Sequence, residues 1–325
     1  MQAVICEAFD GPEALAVREF GDPVPGPGEI LVEVHAAAVS FMDTLMVSGR
    51  YQMRPETPFV PGTDAVGVVR EAGIGVQRFQ RGDRVACTRW TGGLGELMVA
   101  GEWEAVRIPD GVDFEAAASL LYAYGTAYYA LVERAKLQRG ETVFVSGAAG
   151  GVGLAVVDLA RHFGARVIAG VGTDEKVAMV RAYGAAETIN YRTESLKDRL
   201  KTMTGGDGVD VCAEIVGGEI FEQMTRLMAW EGRLMPIGFA SGTIPSVPMN
   251  LPLLKNYSIV GVFYGAWNRR DPQGTARVFG TLMDLLAAGD IRPCVQQVMP
   301  LHQVREAMRA IADRSVQGRI VLKLR

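Results

Sequence analysis

The apolar positions of this chain change rhythm part-way along. From residue 141 onward, short β-branched and aromatic runs alternate with longer stretches at helical spacing. Glu141-Thr142-Val143-Phe144-Val145 is long enough for one buried parallel strand. Residues 154–163 then carry apolar side chains at helical spacing and stop at Gly164, a natural helix C-cap. Further strands are expected at 166–171, 187–190, 209–214 and 233–238, with helices over 175–183, 194–203 and 218–229. Strand and helix in strict alternation predict a doubly wound parallel sheet. The first 115 residues read differently. Short strands at 30–35, 65–69 and 84–87 are divided by Pro- and Gly-rich turns at 22–28 and 79–83, which predicts an all-β, barrel-like module. A helical stretch over 114–137 leads from one texture to the other. From about 271 the pattern gives a helix (277–288), a strand (294–299), a helix (302–313) and a strand (319–324). These terminal elements have no sheet of their own and are expected to complete the first module.

Between the strand at 141–145 and its helix lies Ser146-Gly147-Ala148-Ala149-Gly150-Gly151-Val152-Gly153-Leu154. This is the G-x-G-x-x-G signature of a dinucleotide-binding unit, with Ala148 where the first glycine is expected. Gly150 lets the backbone approach a pyrophosphate and Gly153 lets the helix pack closely on the strand. The helix N-terminus offers unpaired N–H groups and a positive dipole end to the anion.

At 325 residues the chain has room for two cores. A hydrophobic fraction of 49% with 22% charged residues describes a globular protein, and the net charge of −4 gives no reason to expect nucleic acid or an anionic membrane as a partner. The start, Met1 to Glu7, reads as a first strand rather than a signal peptide. The longest uncharged run, Leu234 to Leu254, is broken by four prolines and is not a membrane span. Cys6, Cys87, Cys212 and Cys294 are scattered, with no pair at metal-ligand spacing, which fits reduced thiols in a cytoplasmic protein. His35, His162 and His302 are too dispersed to form a site.

Over essentially its whole length the chain resembles the medium-chain dehydrogenase/reductase superfamily, and within it the zinc-independent quinone oxidoreductases related to zeta-crystallin. Ser40-Phe41-Met42-Asp43 through Gly49-Arg50-Tyr51, Pro61-Gly62-Thr63-Asp64 and Gly82-Asp83-Arg84-Val85 carry the resemblance. The glycine loop, Gly172-Thr173-Asp174-Glu175-Lys176, Asn190-Tyr191-Arg192, Val216-Gly217-Gly218 and Gly318-Arg319-Ile320-Val321-Leu322 complete it. The resemblance implies an α/β protein with a GroES-like β-barrel catalytic domain (1–119, completed by 266–325) and a Rossmann domain (120–265), with the active cleft between them.

It also implies what the chemistry lacks. Where zinc-dependent relatives have Gly-His-Glu, this chain has Gly62-Thr63-Asp64, and Ser40, Phe41 and Asp43 replace the upstream ligand region. The segment 88–103 contains no cysteine of a structural zinc lobe. The remaining reaction is hydride donation from a reduced cofactor to an electron-poor acceptor, either a quinone or an enone, with a 2-enoyl-CoA as the alternative.

For the cofactor, the second strand ends in small neutral residues, Gly172 and Thr173, and Asp174 reads as a helix N-cap. By resemblance, Lys176 and Tyr191 contact a 2′-phosphate, which favours NADPH over NADH. Ser40, Ala149, Gly150, Gly151, Val152, Gly238, Phe239, Phe263 and Arg319 belong to the same implied cofactor site. Thr126 matches the threonine that hydrogen-bonds the nicotinamide end. Tyr51 either donates a proton or lines the acceptor pocket, since a phenol can do both. Relatives of zeta-crystallin also serve as structural or RNA-binding proteins, but the acidic balance and lack of a basic stripe argue against RNA here. Finally, 257–263 reads as a sixth, edge strand. Relatives join such edges across a two-fold axis, so a homodimer is expected.

Overall fold

The first strands of the computed structural model, which describes residues 1–325, are the antiparallel pair β1 (Gln2–Ile5) and β2 (Ala16–Glu19). The long strand β3 (Glu29–Val39) follows. Its Ile30, Val32 and Val34, at period two, enter one core with Val39. Helix α1 (Phe41–Val47) leaves β3 directly. Strands β4 (Asp64–Ala72), β5 (Arg84–Thr88), β6 (Leu97–Gly101) and β7 (Ala105–Arg107) then fold back around it. β3 pairs with β4 along one side, while its other side is shared by β6 at 29–33 and by a late strand at 36–39.

The continuous helix expected over 114–137 is broken. Asp113 caps α2 (Phe114–Ala118) by accepting from Ala116 N at 2.7 Å, and Ser119 ends it. Helix α3 (Leu121–Tyr128) follows and runs on into a π-helical turn at Tyr129–Arg134, where Ala135 N donates to Ala130 O at 2.8 Å. Spacing alone does not register a change from i−4 to i−5 bonding.

Contacts divide the chain into two units: Met1–Gly125 with Gly265–Arg325, and Thr126–Tyr264. The second unit alternates as its pattern predicts. Its elements are β8 (Thr142–Val145), α4 (Gly151–His162), β9 (Arg166–Val171), α5 (Glu175–Ala182), β10 (Glu187–Asn190), α6 (Leu196–Met203), β11 (Val209–Glu214), α7 (Gly218–Met224) and β12 (Met228–Pro236). Then come α8 (Asn250–Lys255) and β13 (Ser258–Ile259). The strands form one parallel sheet in the order β10-β9-β8-β11-β12-β13, the doubly wound order in which the chain reverses direction between β8 and β11. One residue from each of five strands, Phe144, Ile168, Ile189, Cys212 and Leu234, enters the same core cluster.

The edge strand differs from expectation. Only Ser258 and Ile259 have strand geometry, although Val260 N and Val262 N continue to donate to Leu234 O (2.9 Å) and Pro236 O (3.3 Å). Arg134 Nε takes the Gly261 carbonyl at 3.1 Å, so part of this edge is occupied from within the chain.

The first unit resumes with α9 (Tyr264–Arg270), α10 (Pro272–Ala288), β14 (Val295–Pro300), α11 (Val304–Ala312) and β15 (Arg319–Lys323). Asp271 caps α10 ahead of a proline at its start, and Gly289, in the left-handed region at φ 77°, ends it. β15 is the late strand beside β3, and β14 pairs parallel to β15. The sheet therefore runs β14-β15-β3-β4-β5-β7. Val304, Ala307, Met308, Ile320 and Leu322 share the core cluster of β3.

Candidate active site

In the Thr126–Tyr264 unit, residues singled out from the sequence gather at the carboxyl ends of the parallel strands. After β8, Gly147 turns the chain at φ 60°, Ala149 is buried, and Gly150 stands at the N-cap of α4 with no side chain to bond the first-turn N–H groups. Gly151 and Val152 open the helix. A Cβ on Gly153 would lie 2.3 Å from Gly147 O and 2.8 Å from Ala148 Cα, so only glycine lets α4 sit this close to the loop. After β9, Gly172 is followed by Thr173, whose Oγ1 is buried and meets no hydrogen-bond partner. A buried hydroxyl without a partner is uncommon, and it leaves a hydrogen-bonding group available at the end of β9.

Asp174 occupies the N-cap position of α5, but its side chain makes no capping bond. Instead its Oδ1 accepts from Asn190 Nδ2 at 2.8 Å, which ties the start of α5 to the end of β10. Lys176 lies in the first turn of α5. After β10, the Tyr191 hydroxyl and Arg192 Nε both come within 3.7 Å of where a Gly172 Cβ would stand. Gly238 and the part-exposed Phe239 follow β12, and Phe263 lies beyond β13, 47% exposed. Thr126 is buried within α3. A helix N-terminus without a side-chain cap, an unpartnered hydroxyl, and a phenol with a guanidinium at Gly172 suit an anionic dinucleotide.

Ser40, Tyr51 and Arg319 belong to the other unit. Ser40 caps α1 in a capping box: Ser40 Oγ accepts from Asp43 N at 3.3 Å, and Asp43 Oδ2 accepts from Ser40 N at 2.7 Å. Asp43 Oδ2 also takes the Ser40 hydroxyl at 2.6 Å, and Oδ1 takes that of Thr63 at 3.0 Å. The fully buried Asp43 is raised by desolvation against these donors. Asp64 Oδ2 accepts from Tyr122 N at 3.1 Å and from Arg319 Nη2 at 3.2 Å, a buried ion pair. Burial pushes Asp64 up to about 7, with Arg319 as the largest opposing influence. Asp64 Oδ1 and Arg319 Nε are buried without partners. Tyr51 packs on this core with its ring 5.8 Å from Trp90; desolvation first, then the Asp43 charge, raise its phenol to about 12.

No three His, Cys, Asp or Glu side chains come together in a group that could hold a metal. Both oxygens of Asp43 and Oδ2 of Asp64, at the positions in question, are engaged by hydroxyls, amides and a guanidinium. These donors do not fit zinc.

Two family models match the chain: an alcohol dehydrogenase GroES-like domain over residues 26–110, and a zinc-binding dehydrogenase over residues 151–282. The quinone oxidoreductase-like protein 2 homolog of Nematostella vectensis is 40% identical, over 99% of this chain and 88% of its own length. Human quinone oxidoreductase is 32% identical, over 100% of this chain and 98% of its own. The chain belongs to the quinone oxidoreductase family. As a member of that family within the medium-chain dehydrogenases/reductases, it is an oxidoreductase with a GroES-like domain and a Rossmann-type sheet. Escherichia coli quinone oxidoreductase, solved in complex with NADPH, matches at TM-score 0.90 and 30% identity, with 100% of both chains covered. A mycobacterial protein solved with NADPH matches at TM-score 0.93 and 31% identity, again over 100% of both chains.

Two features of this quinone oxidoreductase family member leave little signal in the sequence. Arg192, one residue of the Asn190-Tyr191-Arg192 motif, shares the space over Gly172 with Tyr191. Ser146 and Glu214, buried at the ends of β8 and β11, are joined by a hydrogen bond of 2.6 Å. The only sequence signal for that pair is a polar residue closing each of two mostly apolar strands.

Proposed function

We propose that this protein reduces quinones or related conjugated carbonyls with NADPH and without zinc. The carboxyl ends of the parallel strands carry the reading: a glycine loop after β8 that admits no Cβ at Gly153, and after β9 a buried Thr173 hydroxyl without a partner. Ala149, Gly150, Gly151 and Val152 would hold the pyrophosphate on the N-terminus of α4, and Gly172, Thr173, Lys176 and Tyr191 the adenosine ribose and its 2′-phosphate. Thr126 would bond the nicotinamide end, with Gly238, Phe239 and Phe263 belonging to the same proposed set. When bound, NADPH supplies the hydride. The chain supplies position. Tyr51, raised to about 12, keeps its proton at neutral pH; its phenol either gives a proton to the acceptor's oxygen or lines the acceptor pocket while solvent gives the proton. The capping box and the Asp64–Arg319 pair stand at the positions that the resemblance matches to zinc ligands, which supports a reaction without a Lewis acid.

The names of the relatives support a quinone-type acceptor. The test is NADPH oxidation with a panel of quinones beside crotonyl-CoA and small enones. Turnover with at least one quinone is expected; activity confined to crotonyl-CoA would shift the assignment to enoyl reduction, and inertness toward every quinone overturns it. No helix is long and apolar enough to cross a membrane. With four free cysteines and an acidic balance, we place the enzyme in the cytoplasm, as a homodimer without nucleic-acid partners.

A further inference from the structure

At the point where the sheet reverses direction, β8 and β11 end side by side on a hydroxyl and a carboxylate. Ser146 and Glu214 are each 0% exposed. Ser146 Oγ donates to Glu214 Oε1 at 2.6 Å and accepts from Ile215 N at 2.8 Å and from Val216 N at 3.3 Å. Glu214 Oε1 also accepts from Val216 N at 3.1 Å, and Oε2 accepts from Gly217 N at 2.8 Å. A buried carboxylate persists only where donors surround it. Here the groups that favour its charge are neutral N–H and O–H donors, not a cation, and burial raises it against them.

Those donors belong to a chain of loops. Ile215 O and Val216 O accept from Ala240 N (3.0 Å) and Ser241 N (2.7 Å), and Gly218 N donates to Thr243 O at 3.2 Å. A Cβ on Gly147 would lie 3.2 Å from Val216 Cγ2, and one on Gly217 3.2 Å from Phe239 Cδ1. The glycine loop therefore leans on residues 215–217, and residues 238–243 hang from them. The glycine loop and residues 215–217 meet at the Glu214 carboxyl group, and the 238–243 loop is held to it through 215–218.

We propose that Glu214 is a positioning residue of the cofactor crevice: its carboxylate fixes the spacing between the 146–150 loop and the loop carrying Gly238 and Phe239, and so sets dinucleotide affinity. This rests on reading the crevice as the cofactor site. Glu214→Gln keeps the shape but replaces an acceptor oxygen with an NH₂ group. Whichever way the amide turns, a donor faces a backbone N–H or the Ser146 hydroxyl. The dissociation constants of NADPH and NADH should both rise, by about tenfold and to a similar degree, because the disturbed cradle serves the part they share. The KM for NADPH should follow, with kcat and the quinone KM little changed. Ser146→Ala removes the tie to the glycine loop while leaving Glu214 its two amide donors, and should raise both constants by about threefold.

Calorimetric titration of the full chain with each dinucleotide, beside thermal unfolding without ligand, decides the matter. A lowered Tm with unchanged binding in Glu214→Gln would make the carboxylate a folding element only and overturn the proposal. If that variant does not fold, Ser146→Ala decides: weaker binding of both dinucleotides supports the proposal, and unchanged binding overturns it. A wild-type protein that binds neither dinucleotide overturns the cofactor reading and this inference together.

Discussion

Lys176 lies in the first turn of a helix, where a cation faces the positive end of the dipole and destabilises the helix slightly. A bound phosphate would reverse that sign. Lys176→Ala should therefore weaken NADPH by about 1.5–3 kcal/mol and barely alter NADH, read by calorimetry with each cofactor; equal losses would remove Lys176 from phosphate recognition. Tyr51 can be sorted by kinetics. If its phenol gives the proton, Tyr51→Phe lowers kcat strongly, whereas a change confined to the acceptor's KM marks it as a wall. Asp64 governs stability. Its carboxyl titrates near 7 in the folded protein and near 4 when unfolded, so the native state binds the extra proton between those values. Folding stability should fall as the pH rises from about 4 to about 7 and then level off. Asp64→Asn should flatten that window in denaturant midpoints measured at pH 5 and pH 8. The proposed phosphate contacts Lys176 and Tyr191 are carried by short motifs, and the S-x-x-D spacing of Ser40 and Asp43 encodes the capping box. No such spacing encodes the Asp64–Arg319 pair, whose partners lie at opposite ends of the chain.

Elements with an unbroken period were legible almost to the residue. β9 and β10 begin and end where their apolar runs do, and α4 stops just short of its glycine. The stretch after Phe114 was not, because its apolar residues continue through Ser119 and through the π turn while the hydrogen bonding changes beneath them. The edge strand was overestimated for a related reason: residues 257–263 are apolar enough for a full strand, but a strand is defined by its ladder, and here only Ser258 and Ile259 keep it regular. Within α4, packing is decided by a missing atom. Gly153→Ala would force a methyl group against the rigid backbone at Gly147 and Ala148, costing about 1–3 kcal/mol as the helix lifts from β8. Urea unfolding should show that loss, and NADPH binding should weaken with it, since the same turn forms the cradle.

For the whole molecule, the two textures of the sequence correspond to two units, and the alternation of strand and helix correctly gave the parallel sheet its class. Order and pairing were not legible, because which strand lies beside which is settled by packing between residues far apart. At this scale the proposed dimer is checked by mass: light scattering at micromolar concentration should give twice 35.0 kDa, and a monomeric mass would remove it. The sheet of the first unit has one further consequence, for synthesis. Val39 of β3 is paired with Ile320 of β15, whereas every strand of the parallel sheet lies between Thr142 and Ile259. On the ribosome the later-made unit can thus close first, while the earlier-made one waits with one edge of β3 open over residues 36–39. Nascent chains halted after residue 313 should resist protease across the parallel sheet and be cut in the first hundred residues, an inversion of the usual order in which the amino-terminal domain is finished first.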